Sequence, residues 1–116
     1  LFAQVSGDNN PVHLDEEFAA QTPFKTRIAH GMLSAAYISA VIGTQLPGPG
    51  TIYMQQALRF KRPVKIGDEV TTLATISEID LIKGRVTVDT VCLVGGKPVI
   101  EGEALVMAPR KPDAAA

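Results

Sequence analysis

The chain has 116 residues, a formal net charge of −1, 46% hydrophobic and 20% charged residues. That length suits one domain around one core, and the composition excludes an intrinsically disordered chain. The near-even charge balance gives no sign of the basic excess on one face that nucleic acid requires.

Leu1 to Ser6 reads as the end of a helix, with Gly7 as its C-cap. Because this opening looks like mid-helix, residues are expected upstream of Leu1. Asp8-Asn9-Asn10-Pro11 is a loop, since Asn and Asp favour turns and Pro11 pushes Asn10 away from helical geometry. Asp15 to Ala20 predicts a short helix with acidic residues in its first turn, where the macrodipole favours them. Thr22 to Ala29 is irregular. His30 to Thr44 (HGMLSAAYISAVIGT) is the longest apolar run. Grease on every side predicts a helix from about Gly31 to Gly43 surrounded by protein. It is too short for a bilayer, which needs about 20 apolar residues. Leu46 to Gly50 is a firm loop.

From Thr51 the period changes to two. Ile52, Met54, Leu58 and Phe60 alternate with Tyr53, Gln55, Arg59 and Lys61, predicting a strand with one buried face. Glu69 to Ile79 predicts a second strand. Arg85 to Val94 predicts a third, with Val86, Val88, Thr90, Cys92 and Val94 on one side. Gly95-Gly96 is a two-residue hairpin signal, and Lys97 to Met107 is the fourth strand. Helices followed by an antiparallel meander make an α+β protein. A curved sheet of four or more strands rolled around the apolar helix is the economical arrangement. Residues 1–108 form one domain, and Pro109 to Ala116 read as a frayed tail. Cys92 is the only cysteine, so neither an internal disulfide nor a spaced zinc site is available, and a reduced, cytoplasmic setting is expected. No stretch reads as a signal peptide or a membrane span.

The densest polar cluster is Gly7-Asp8-Asn9-Asn10-Pro11-Val12-His13. On a helix, Asp8 and His13 would diverge by about 140°; on a loop broken by Pro11 they can converge. A carboxylate and an imidazole facing one small space suit acid–base work on a water or a substrate proton. Asn10 could orient either partner or the water. Gly31 opens the apolar helix, so its N–H lacks an intrahelical partner and lies at the positive end of the dipole. It is the candidate oxyanion donor. Ser39, inside that helix, needs a partner, and Asp8 is a candidate. The plainer readings are a capped turn, a structural His13, and a Ser39 bonded to its own i−4 carbonyl. His30 reads first as a helix cap or packing residue. A metal bound by Asp8, His13 and His30 is disfavoured, because no HxH, HxxxH or HExxH spacing is present.

Gly7 to Asp15 resembles the D-x-N-P-x-H signature of the MaoC-like, (R)-specific enoyl-CoA hydratases. Ile28 to Leu33 resembles the HGM segment that opens their central helix. Phe60 to Asp68 resembles their F-x-x-P-V-x-x-G-D strand and turn. Together the three segments resemble most the short, single-domain hydratases of polyhydroxyalkanoate synthesis. The resemblance implies a hot-dog fold, in which a curved antiparallel sheet wraps a long helix. It further implies a homodimer with a continuous sheet, an acyl-CoA thioester substrate and no cofactor or metal. It implies Asp8 and His13 as the catalytic pair, Gly31 on the thioester oxygen, and Asn10 and Ser39 as supporting residues. By the same resemblance, the family's N-terminal strand and the start of the helix before the motif are expected upstream of Leu1. Ile42 and its apolar neighbours are expected to bound the acyl pocket. Arg59, Lys61, Arg62, Lys83 and Arg85 are the candidates for the CoA phosphates. An acyl-CoA thioesterase and a non-catalytic acyl-binding or dimerisation module are the alternatives.

Overall fold

A computed structural model describes residues 1–109; all of the expected tail except Pro109 lies outside the described residues. Four helices precede four strands: α1 (Phe2–Ser6), α2 (Pro11–Leu14), α3 (Glu16–Ala20), α4 (Gly31–Thr44), β1 (Ile52–Phe60), β2 (Thr71–Asp80), β3 (Arg85–Val94) and β4 (Lys97–Met107). The strands form one antiparallel sheet in the order β1-β4-β3-β2.

The expected meander is therefore only partly right. β2, β3 and β4 follow one another, but β1 crosses to the far side of β4. The alternation of β1 does not mark a buried face either. Ile52, Met54 and Phe60 are exposed, because β1 is an edge strand and α4 packs on β2 and β3. In β3 the expected alternation holds: Val86, Val88, Thr90 and Cys92 are all buried. Both glycines of the β3–β4 turn have positive φ (58° and 77°), which is what a two-residue turn matched to the strand twist demands.

α4 is where expectation and structure differ most. Only Ser34, Ile38 and Ile42 are buried, a single stripe at i, i+4 and i+8. Met32 is 59% exposed and Tyr37 41%. The sheet, chiefly β2 and β3, covers one side of the helix and leaves its other apolar side open among the described residues. Ile38 and Ile42 join Val64, Val86, Val88, Cys92, Val99, Ile100, Ala104 and Val106 in the core.

Cys92 lies in that core, with its Sγ 3.6 Å from Thr72 Oγ1 and 3.7 Å from the Ser34 carbonyl. Burial pushes its thiol up from the ordinary value, partly offset by the Thr72 contact. The thiolate is the reactive form. A thiol reagent at neutral pH is thus expected to leave the native protein unlabelled while labelling the urea-unfolded chain fully; rapid native labelling would show that this part of the core is open.

Candidate active site

The loop after α1 carries Asp8. Gly7 takes φ 79° and its N–H returns to the Ala3 carbonyl, a left-handed helix end that glycine adopts at no steric cost. Asn10 then caps α2, its Oδ1 accepting from the Val12 N–H at 3.1 Å, and Pro11 takes the first helical position, where it loses no hydrogen bond. The expected loop is thus a loop only as far as Asn10. His13 sits in a short helical turn, and the carbonyl end of Asn10 serves that turn.

His13 is half-buried and held from two sides. Its Nδ1 lies 2.7 Å from the Ile28 carbonyl. A carbonyl only accepts, so Nδ1 carries the proton and Nε2 is the variable nitrogen. Arg27 Nε donates to the His13 carbonyl at 2.7 Å, and the Ile28 N–H to the Val12 carbonyl at 3.3 Å. These bonds fasten α2 to the segment that leads into α4. Arg27 drew no attention from the sequence, since one arginine in an irregular stretch carries no pattern.

His30 stands at the N-cap of α4, yet makes no side-chain cap bond. It is 7% exposed and stacks on His13, with ring centroids 3.9 Å apart and planes at 28°. Its Nε2 lies 2.8 Å from the Asp8 carbonyl. One side-chain donor atom from each of Asp8, His13 and His30 lies within 4.8 Å of the others. The expected convergence of Asp8 and His13 is present, with a third member whose part was read only as a cap or packing residue. The trio has the donor types for a cation. However, the stack turns ring faces towards each other, and one nitrogen of each ring is engaged by a carbonyl. That geometry suits packing and proton handling better than one shared ion.

A cleft of about 360 Å³ opens beside the two histidines. His13, Ile28, His30, Gly31, Ser34, Phe60, Lys61 and Arg62 are among its walls. Gly31 is the first residue of α4, so its N–H is one of the helix's free donors. A Cβ at Gly31 would lie 2.6 Å from Phe60 Cε1, so glycine lets the Phe60 ring close over the helix end. Lys61 and Arg62 are the expected cations that reach this cleft. Lys61 also pairs with Glu101 at 3.6 Å, as Arg59 does at 3.9 Å. Lys83 and Arg85 are not among the lining residues.

Four expected residues are not among the lining of the cleft: Asp8 and Asn10, on the loop beside it, and Ser39 and Ile42 on α4. Ser39 is on the exposed side of α4, and the buried helix serine that lines the cleft is Ser34. Ile42 is fully buried in the core and is not a cleft wall. With 3.6 residues per turn, Ser34, Ile38 and Ile42 share the stripe that faces the sheet, while Ser39 is rotated about 100° from Ile38.

A family model for the MaoC like domain matches residues 1–96. The chain belongs to the MaoC-like domain family. This MaoC-like chain is 59% identical to the (R)-specific enoyl-CoA hydratase of Rhodospirillum rubrum over 111 residues, covering 96% of this chain and 77% of that protein. It is 50% identical over 113 residues to the 3-hydroxybutyryl-CoA dehydratase of Methylorubrum extorquens, covering 97% and 72%. A solved structure of the (R)-hydratase from A. caviae involved in PHA biosynthesis superposes with a TM-score of 0.90 at 46% identity, over 93% of this chain and 83% of that one. The MaoC-like chain therefore has the hot-dog fold anticipated from its motifs. Among the described residues no helix is long and apolar enough to cross a membrane.

Proposed function

We propose that this chain is a hydro-lyase, an (R)-specific enoyl-CoA hydratase that adds water reversibly to a trans-2-enoyl-CoA. The hydratase and dehydratase relatives support the reaction class. The observation that carries the mechanism is the approach of the Asp8 carboxylate to the His13 imidazole beside a cleft that holds the N-terminus of α4. One water would sit between the pair. Asp8 takes a proton from it as the oxygen bonds to C3. Electrons shift from the C2=C3 bond towards the thioester carbonyl, whose oxygen becomes enolate-like and rests on the Gly31 N–H. His13 enters the step with both nitrogens protonated, Nδ1–H on the Ile28 carbonyl, and gives its Nε2 proton to C2, leaving the neutral Nδ1–H ring. Proton return from Asp8 to His13 resets the pair. The product is a (R)-3-hydroxyacyl-CoA, and the sum is one water across one double bond.

The substrate's phosphates would meet Lys61 and Arg62 at the rim of the cleft. A second copy of the chain would cover the exposed side of α4, where Met32 and Tyr37 stand open. Ser39 lies on that uncovered side, so any contact it makes with a catalytic aspartate depends on the assembled dimer. Ile42 would bound the acyl group only indirectly, from the core behind Ser34 and Ile38.

The direct test is hydration of crotonyl-CoA, with the configuration of the product determined. The (R)-3-hydroxy product is expected; release of free CoA thiol without hydration would favour a thioesterase instead. Gly31 provides a second expected outcome. Gly31→Pro removes the proposed oxyanion donor at a position where proline is compatible with a helix start, but it brings a Cβ against Phe60 just as alanine does, so the comparison is with Gly31→Ala. Turnover of Gly31→Pro should lie about 100-fold below that of Gly31→Ala, the usual cost of losing such a donor. Gly31→Ala keeps the donor but drives a Cβ into Phe60, so Phe60→Ala should restore what Gly31→Ala loses. Were turnover in Gly31→Pro to fall only as far as folded protein does, the oxyanion role would be lost.

A further inference from the structure

The N-cap of α4 is an odd place for a histidine. Ser, Thr, Asp and Asn are the side chains that stabilise such a position, by accepting from the free N–H groups of the first turn. His30 makes no such bond, so the helix does not explain it. Its polar ring is nevertheless buried, and a buried polar group needs partners. Its partners belong to the site: the Asp8 carbonyl at 2.8 Å on Nε2, and the His13 ring on one face. The Phe2 ring adds a tilted contact at 4.8 Å.

Among the described residues, the loop that carries Asp8 is otherwise hydrogen-bonded only to its neighbours in sequence. The Asp8 N–H donates to Ser6 Oγ, the Asn10 N–H to Asp8 Oδ1, and the His13 N–H to the Asn10 carbonyl. Among the described residues, the His30 bond is the long-range hydrogen bond on residues 7–10, spanning 22 positions. Asp8 itself is exposed, so packing does not fix its place.

We infer that His30 is a positioning residue for the hydration reaction: its Nε2–H holds the Asp8 main chain, and its ring face holds His13, so that the carboxylate and the imidazole keep their separation. This rests on the acid–base reading above. Because Nε2 donates to a carbonyl, His30 needs to carry no more than that one proton. Its part is to place the two groups that react.

The test sets three variants against one another. His30→Asn is a better N-cap but too short to reach Asp8. His30→Phe keeps a ring for His13 but has no donor. His30→Gln places an N–H donor near the Nε2 position without a ring. If the bond to Asp8 is what matters, kcat for crotonyl-CoA should fall about tenfold or more in His30→Asn and His30→Phe, since small misplacements of catalytic groups carry costs of that order. KM should move less than about twofold, as for an interaction felt mainly in the transition state. His30→Gln should recover most of the loss. In an Asp8→Asn background, His30→Asn should cost little more, because there is no carboxylate left to place. A residue that merely capped or filled space would instead leave kcat of His30→Asn at the wild-type level, and that result overturns the inference. So does a loss that multiplies in full with that of Asp8→Asn. Full activity of Asp8→Asn alone is a separate failure, that of the acid–base reading itself.

Discussion

Asp8→Asn is expected to lower kcat for hydration of crotonyl-CoA about 10²- to 10⁴-fold, the range that a positioned acid or base contributes. The substitution is nearly isosteric. It keeps an oxygen to accept from the Asn10 N–H, as Asp8 Oδ1 does at 3.3 Å, and it leaves untouched the main-chain carbonyl that His30 holds. Folding should therefore change little, since Asp8 is exposed and has no ion pair among the described residues. What it removes is the ability to take a proton from water. His13→Gln should cause a loss of the same order, but with a visible effect on stability. Its Nδ1 bond to Ile28 and its stack on His30 help bind α2 to the lead-in of α4. The double variant should be little worse than the poorer single one, because in the proposed mechanism the two groups act on one water as a unit. Circular dichroism and thermal melts alongside the rates separate chemistry from folding. A folded Asp8→Asn protein at wild-type rate would end the acid–base assignment.

Gly102→Ala carries the largest expected effect on stability. Gly102 lies in β4 opposite Leu58 of β1 and Thr90 of β3. A Cβ there would fall 1.9 Å from the Ala57 carbonyl oxygen and 2.9 Å from its carbon. Both are backbone atoms of the neighbouring strand, so no rotamer change can relieve the clash. β1 would have to leave its register or peel away from β4. A loss of about 3 kcal/mol is expected, the upper end of the usual overpacking range, with a fall in Tm on the order of 10 °C or more. Melts at matched protein concentration would read it, since a proposed dimer would make Tm depend on concentration. β1 also ends at Phe60, which covers Gly31. Activity should thus fall with the sheet, although Gly102 is no part of the site. A melt within 1 °C of wild type would show that β1 and β4 lie further apart than here.

Much of this was legible along the chain, because the signals were local. Strict alternation from Val86 to Cys92 needs only a sheet with one buried face, and all four apolar or small positions on that side are buried. Gly7 and Gly95-Gly96 marked turns because positive φ suits glycine. The run from His30 to Thr44 marked the central helix because an apolar run of that length exceeds an ordinary buried strand. Asp8 and His13 stood out as the densest chemistry in the chain, and the three motifs supplied the family.

Other features were settled by relations between distant segments. The alternation of β1 was read as a buried face because pattern reports which residues share a side, not whether anything covers it; the place of β1 at the sheet edge decided that. The apolar run of α4 likewise could not say how many of its sides this one chain fills. Ser34 rather than Ser39 faces the cleft because of the rotation at which α4 settles on β2 and β3. Arg27 carried no local signal, and His30 read only as a cap or packing residue in the segment that opens the helix. Their parts arise from pairings with His13 and Asp8, up to 22 residues away. Composition and periodicity therefore determined the elements, the fold class and the catalytic candidates, since each depends on a few adjacent residues. Which carbonyl holds which imidazole, and how closely Asp8 and His13 approach, depended on packing between elements, and only the tertiary structure decided it.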